Sequence, residues 1–252
     1  MSSCSVPGGA AGGVAHRKAD KAGQVVFVLN TVLISLYSLL WTFPIPIILS
    51  LIINQLRFRR YKRLVQMVLY APHFISIMVV CGMLRIFLSP SGGLINLIFG
   101  TSIDFLTESS AFRTIYIASG IWQDAGWGCI IYLATLANVD PGLYEAAKID
   151  GASVFQRIKN IDLPELLPMA ILNLIMAAGG LMNVGFEKVW LLQTDLNKAT
   201  SDVIAVYVYQ QGIENAKYSY STAVGLFNTA VNIILLLIVN KIASKASDVE
   251  FV

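Results

Sequence analysis

The chain has 252 residues, of which 56% are Ala, Val, Ile, Leu, Met, Phe, Trp, Tyr or Cys and only 13% are Asp, Glu, Lys or Arg. Its mean hydropathy is +0.68. Soluble domains carry about 25% charged residues, so this composition argues against a water-soluble enzyme and for a bundle of membrane helices. The net charge of +3 is small, and no basic tract interleaves with aromatics, which sets nucleic acid aside as a partner. Cys4, Cys81 and Cys129 show no paired spacing, so neither a disulfide framework nor a zinc site is indicated. No signal-peptide core occurs in residues 1–23, a polar Gly/Ala/Ser-rich leader expected to be disordered.

In chain order, apolar stretches predict five spans, at about 25–56, 64–88, 113–137, 164–186 and 218–243. They make up a membrane domain over 24–245, followed by a short tail, 246–252. Pro44 and Pro46 are expected to kink the first span, and Pro72 the second, with His73 satisfying carbonyls that the kink frees. Arg85 is expected to snorkel outward at the end of the second span. Between the fourth and fifth spans, Ser201 to Gln211 is apolar but too short to cross, and reads as an interfacial helix or a packed lid on the outer face.

Orientation follows from the basic residues. Arg57, Arg59, Arg60, Lys62 and Arg63, then Lys148, Arg157 and Lys159, then Lys241 and Lys245, all fall on one side, which is therefore cytoplasmic. Arg17, Lys18 and Lys21 in the leader run against this assignment.

The loop 138–163 is the most informative stretch. Asp140 followed by Pro141 predicts a capped helix start, and Asp150 with Gly151 a stop. A second short helix is expected from Ala152 to Asn160, with Leu163 held extended by Pro164 ahead of the fourth span. Two short amphipathic helices protruding into the cytoplasm bury too little to stand alone. Ala146 and Ala147 permit close approach, and Glu145 offers a charge to a basic groove on a soluble partner; lipid headgroups are the alternative resting place.

The spacing Glu145-Ala146-Ala147, Gly151, Ile161, Leu163-Pro164 resembles the EAA loop of binding-protein-dependent ABC importer permeases. The stretches IYLATLANVDPGLYEAAKIDGAS and VGLFNTAVNIILLLIVNKI are more narrowly similar to the LplB-like oligosaccharide and polysaccharide transport subfamily. The resemblance implies an all-α polytopic bundle of the type I importer (MetI-like) core with a cytoplasmic coupling helix, in the bacterial inner membrane. It implies that Glu145, Ala146, Ala147, Asp150 and Gly151 dock on an ATPase, and that Ile161, Leu163 and Pro164 join the docking unit to the fourth span. The implied partners are a cytoplasmic ABC ATPase dimer, a second permease subunit and an extracytoplasmic solute-binding protein, in a lipid bilayer. No G-x-x-x-x-G-K-[ST] motif occurs, consistent with ATP hydrolysis in a separate subunit; no catalytic residue, metal or cofactor is expected. Members of this subfamily carry one further N-terminal helix ahead of the span that begins at Val25, so five of six helices are expected, with a shortened, non-transporting chain as one alternative.

Sugars need hydrogen-bonding groups and flat apolar faces. Trp122, Gln123, Asp124 and Trp127 in the third span, with Asn183 near the outer end of the fourth, are the candidate substrate pathway. Asp124 is the sharpest, because an intramembrane carboxylate either binds something or pairs with a neighbouring helix. Asn228 and Asn232 suit helix-to-helix bonding, and the run from Ala177 to Gly180 close helix packing. A proton-coupled carrier with Asp124 and His73 as relay, and a membrane scaffold without transport, are the other functions compatible with the composition.

Overall fold

The computed structural model describes the backbone of residues 9–246 and the side chains of residues 26–242. The outer parts of the expected leader and tail, residues 1–8 and 247–252, lie outside the described residues, as does Cys4. Among the described residues every regular element is helical, as expected.

The first helix, α1 (Gly9–Thr42), gives way at Phe43 to α2 (Pro44–Asn54). The helix runs back to Gly9 with no proline between that residue and Pro44 to interrupt it. The break sits directly ahead of Pro44, where the missing N–H and the ring interrupt the ladder. Together Val26–Asn54 is long and apolar enough to cross a membrane.

The expected second span is not one helix. It consists of α3 (Arg59–Tyr70), a tight 3₁₀ turn at Ala71–Phe74, and α4 (Ile77–Phe87), with the two halves 97° apart. Pro72 disrupts the first half, and Ser76 starts the second by accepting the Val79 amide hydrogen. A short helix, α5 (Leu94–Phe99), leads to α6 (Ser109–Ala137). With 29 residues α6 is about 43 Å long at 1.5 Å per residue, enough to cross. It is nonetheless less apolar than the others, and only three runs, or four counting the bent pair, are both long and apolar enough among the described residues. Of the five expected spans, the second carries its expected kink as a sharp bend, and α6 is long enough to cross but more polar than the rest. α6 tolerates its polar middle because α1, α2, α3 and other helices pack around it.

After α6 come α7 (Pro141–Ile149), α8 (Val154–Arg157) and α9 (Leu163–Gly179). The fourth crossing segment is Val154–Gly179, beginning earlier and ending earlier than 164–186, because the chain turns at Gly180 before α10 (Phe186–Leu192). Two short helices, α11 (Lys198–Ser201) and α12 (Ile204–Tyr209), precede α13 (Tyr218–Ala246), which carries the last crossing segment, Tyr218–Ile242.

The core has an outer and an inner part. In one, Ile34, Cys81, Phe112, Val189, Val203 and Val206 bury one another, so the segment after Ser201 is a packed lid. Thr31 fixes it by accepting the Ile204 amide hydrogen (2.9 Å), and Asn30 donates to the carbonyls of Ala199 and Asp202. In the other, Tyr132, Leu136, Leu166 and Ala170 join α6 to α9 against Phe43, Ile47 and Leu51. Small residues set the closest approaches. A Cβ at Gly126 would lie 1.9 Å from the Leu69 carbonyl oxygen, and one at Gly179 would lie 2.6 Å from a Leu236 methyl, so the Ala177–Gly180 run packs within the chain. Many apolar side chains of α13, including Leu226, Phe227, Ile233 and Ile234, stay exposed, which suits a helix facing lipid or another membrane subunit.

Gly126→Ala is expected to destabilise the purified protein by about 1–3 kcal/mol through overpacking against fixed backbone. Gly82→Ala, where an added Cβ meets nothing within 4 Å, is expected to stay within about 0.5 kcal/mol of the parent. Thermal unfolding of both variants in detergent checks this, and equal behaviour of the two would contradict the packing described.

Candidate functional site

Two sites emerge, one on the cytoplasmic loop and one in the middle of the bundle. In the loop, Asp140 caps α7 by accepting the Gly142 amide hydrogen (2.9 Å), with Pro141 in the first turn. Gly151 ends it at φ +75°, a conformation that disfavours residues with a Cβ. The next helix starts at Ser153, whose hydroxyl and backbone form a reciprocal box with Gln156. It then runs through a π turn at Ile158–Asp162 straight into α9. Leu163 is therefore helical (φ −69°, ψ −43°), not extended. Pro164 removes one helical N–H and crowds the carbonyl four residues back; the wider π turn, with Leu163 donating to the Ile158 carbonyl, accommodates it.

Glu145, Ala146, Asp150 and Gly151 are exposed, Ala147 is half-buried, and Ile149 and Phe155 project with 86% and 74% of their surfaces uncovered. Ile161 is half-buried at the junction, while Leu163 and Pro164 are exposed. Glu145 opens on a groove of about 660 Å³ shared with Arg57, Tyr144, Lys148 and Arg157. Within 4 Å it forms no ion pair among the described residues.

Behind this surface lies a contact that sequence reasoning missed. Asp162 is fully buried and accepts hydrogen bonds from Tyr144 of α7 (2.5 Å) and from Gln55 at the end of α2 (2.8 Å). Burial, reinforced by the Asp162 carboxylate, pushes the Tyr144 hydroxyl up to about 12, so it keeps its proton and donates. The protruding helix is thereby tied to the first and fourth crossing segments at one point. The available signal was an acidic residue immediately ahead of a span.

In the bundle, consecutive positions of α6 point in different directions. Trp122 lies against Val80, Met83, Leu84 and Phe87 in an apolar hollow, away from the other candidates. Gln123 is buried and donates to the Ile75 carbonyl (2.9 Å), the service expected of His73. His73 instead sits with Nδ1 2.9 Å from Asp124 Oδ1, its ring stacked on Trp127 with centroids 4.4 Å apart and planes 8° apart. Phe74 meets both rings edge-on. Asp124, Trp127 and Phe74 remain largely exposed, giving an aromatic platform with a carboxylate at its edge.

Gln123 and Asp124 also line a cleft of about 440 Å³, together with Ser38, Thr42, Tyr116 and Lys188. A smaller hollow of about 170 Å³ shares Ser38, Thr42 and Tyr116 and includes Asn183. The Asn183 side-chain oxygen accepts from both Asn228 (3.2 Å) and Asn232 (3.3 Å), bracing the turn after α9 to α13. The candidates thus divide: Gln123 and Asp124 in the cleft, Asn183 beside it, Trp127 on the platform, and Trp122 apart. Arg85 donates to the Leu191 carbonyl, so it closes a helix end rather than reaching out alone.

Comparison with known proteins matches this architecture. Residues 22–248 match the family described as "Binding-protein-dependent transport system inner membrane component". Protein LplB of Bacillus subtilis (strain 168) is 42% identical over 220 residues, covering 86% of this chain and 69% of that protein. The polygalacturonan/rhamnogalacturonan transport system permease protein YteP of the same organism is 40% identical over 223 residues, covering 87% of this chain and 70% of its own. A crystal structure of a bacterial alginate ABC transporter, in complex with alginate pentasaccharide-bound periplasmic protein, matches with a TM-score of 0.87 and 39% identity, covering 90% of this chain and 80% of that one. The match extends over the break at Phe43, the protruding loop and α13 alike, and the chain belongs to the family of binding-protein-dependent transport system inner-membrane components.

Proposed function

We propose that this chain is a carbohydrate-conducting permease subunit of an ATP-driven importer, coupled to a separate ATPase dimer through α7. The carrying observation is the exposed α7 surface around Glu145 and Ala146, pinned to two crossing segments by the buried Asp162. Motion imposed on α7 by a closing ATPase pair passes into α2 and α9 through short hydrogen bonds instead of dissipating in a flexible loop. The names of the relatives, a polygalacturonan/rhamnogalacturonan transport system permease and an alginate ABC transporter, support carbohydrate as the cargo. A second permease subunit faces the His73–Trp127 platform, and a binding protein delivers substrate from outside. The pairing of His73 with Asp124 is also what a proton-coupled carrier would use. Membership in a family of binding-protein-dependent transport components weighs against that reading, and the platform is read as a sugar-binding surface.

Reconstitution with the native partners tests the coupling. Glu145→Lys is expected to lower both binding-protein-stimulated ATP hydrolysis and uptake about tenfold or more, by reversing charge at a docking surface. Unchanged rates would remove α7 from the coupling role. Tyr144→Phe takes one donor from a buried carboxylate, so a stability loss of about 1–3 kcal/mol is expected, together with fewer sugars moved per ATP. A melting temperature and a transport-to-hydrolysis ratio both equal to the parent's would show that the Asp162 contact carries nothing.

For the pathway, Asp124→Asn and Trp127→Ala are expected to reduce uptake several-fold while the complex still assembles, as judged by co-purification of the partner subunits. Loss of assembly in both would make the platform an interface instead.

A further inference from the structure

Lys188 is 7% exposed, on the first turn of α10 where the chain re-enters a helix after Gly180. Its ammonium donates one hydrogen bond, to the Tyr116 carbonyl (2.8 Å), and lies 4.8 Å from the centroid of the Tyr116 ring. Among the described residues no carboxylate comes within 4 Å of it. An ammonium has three donors, so two are left without a protein acceptor. The nearby acid, Asp124, spends its Oδ1 on His73.

The surroundings keep that charge accessible. Gly120 stands opposite, and a Cβ there would lie 3.3 Å from Nζ, so α6 is left bare where the ammonium sits. Both residues line the 440 Å³ cleft, with the Ser38 and Thr42 hydroxyls, the Gln123 amide and the His73-paired Asp124 carboxylate on the same walls. This volume falls within the range of small-molecule sites, about 300–1,000 Å³. A lysine serving only to pin α10 onto α6 needs one neutral donor for one carbonyl. Among the described residues the acid that acts on this ammonium, Asp124, lies beyond 4 Å and is engaged by His73, so a buried charge here favours an anion arriving from outside. Burial lowers this ammonium to about 8, which leaves it largely protonated at neutral pH.

From this geometry we infer that Lys188 anchors a carboxylate of the sugar in transit, so the cleft takes an anionic, uronate-containing oligosaccharide in preference to a neutral one. This rests on the importer reading above. The uronate carboxylate is held by the two spare ammonium donors, and ring hydroxyls meet Gln123, Ser38 and Thr42.

The test is equilibrium binding to the complete transporter complex in nanodiscs, without the binding protein, so that the cleft alone selects. Trigalacturonate, its fully methyl-esterified neutral form, and inorganic phosphate are the probes. The parent complex is expected to bind the acid about tenfold or more tightly than the ester, with phosphate competing weakly. K188Q retains a donor for the Tyr116 carbonyl but removes the charge; it is expected to abolish the preference by weakening acid binding alone. K188R is expected to retain the preference. Equal binding of acid and ester by the parent, no binding of the acid, or a K188Q loss that falls equally on both would overturn the assignment. Phosphate binding as tight as the acid would make the cleft a general anion site and overturn the uronate claim. ATP-driven uptake of carbohydrate by the parent is measured beside these. If uptake occurs without acid preference, the Lys188 assignment alone fails; if no carbohydrate moves, the importer reading fails.

Discussion

A helix that breaks inside an apolar medium must find other partners for the backbone groups it frees, and this requirement organises the whole molecule. Buried side-chain amides meet it repeatedly. Asn96 donates to the carbonyls of Ser89 and Ile103 and accepts the Ile103 amide hydrogen, closing the loop around α5. Asn197 does the same between Leu106 and Leu192 while accepting from Thr194 and Ser201. Asn232 accepts the Met182 amide hydrogen where α9 ends, and Gln123 donates to Ile75 where the second span bends. Each is a buried polar group, and each is matched by backbone, which is why it can be buried at all.

These repaired breaks are not scattered. The break before Pro44, the bend at Pro72–Ser76 and the turn after Gly180 all open on one region, so that Thr42, Pro46, Ile77 and Lys188 share a single cleft with α6. Continuous helices would have packed side chain against side chain and left no such volume. Interrupting three of them around a fourth, polar one produces a lined cavity at the centre of the bundle. Irregular backbone within a membrane is tolerated where it faces protein or a cavity.

On the cytoplasmic side the same economy of contacts serves the opposite end, rigidity. A proline that would ordinarily interrupt the helix is absorbed by a π turn, and the residue at the end of that turn, Asp162, is buried and bonded to two other elements. The loop therefore belongs mechanically to the crossing segments, although its outer face is exposed. Its inner side is held at Asp162, while side chains such as Ile149 and Phe155 project from its outer face.

Much of this was legible in the residue order. The membrane class follows from composition, the start and stop of α7 from Asp140, Pro141 and Gly151, and the break at Phe43 from the prolines after it, because caps and prolines act within one turn of chain. The sharpness of the bend in the second span, the end of the fourth and the conformation of Leu163 were not legible, since periodicity and proline rules do not contain the partner that repairs a break. The meeting of His73 with Asp124 across 51 residues, of Gln55 with Asp162 across 107, and of Lys188 with the Tyr116 carbonyl across 72 depends on how α2, α4, α6 and α10 pack. Residue order thus fixes the chain as a helical membrane transport component with a short capped helix in the loop before its fourth crossing segment. Packing alone decides which of its many polar residues share a cavity, because a side chain's chemistry is local, while its neighbours are set by helices that meet only in the folded bundle.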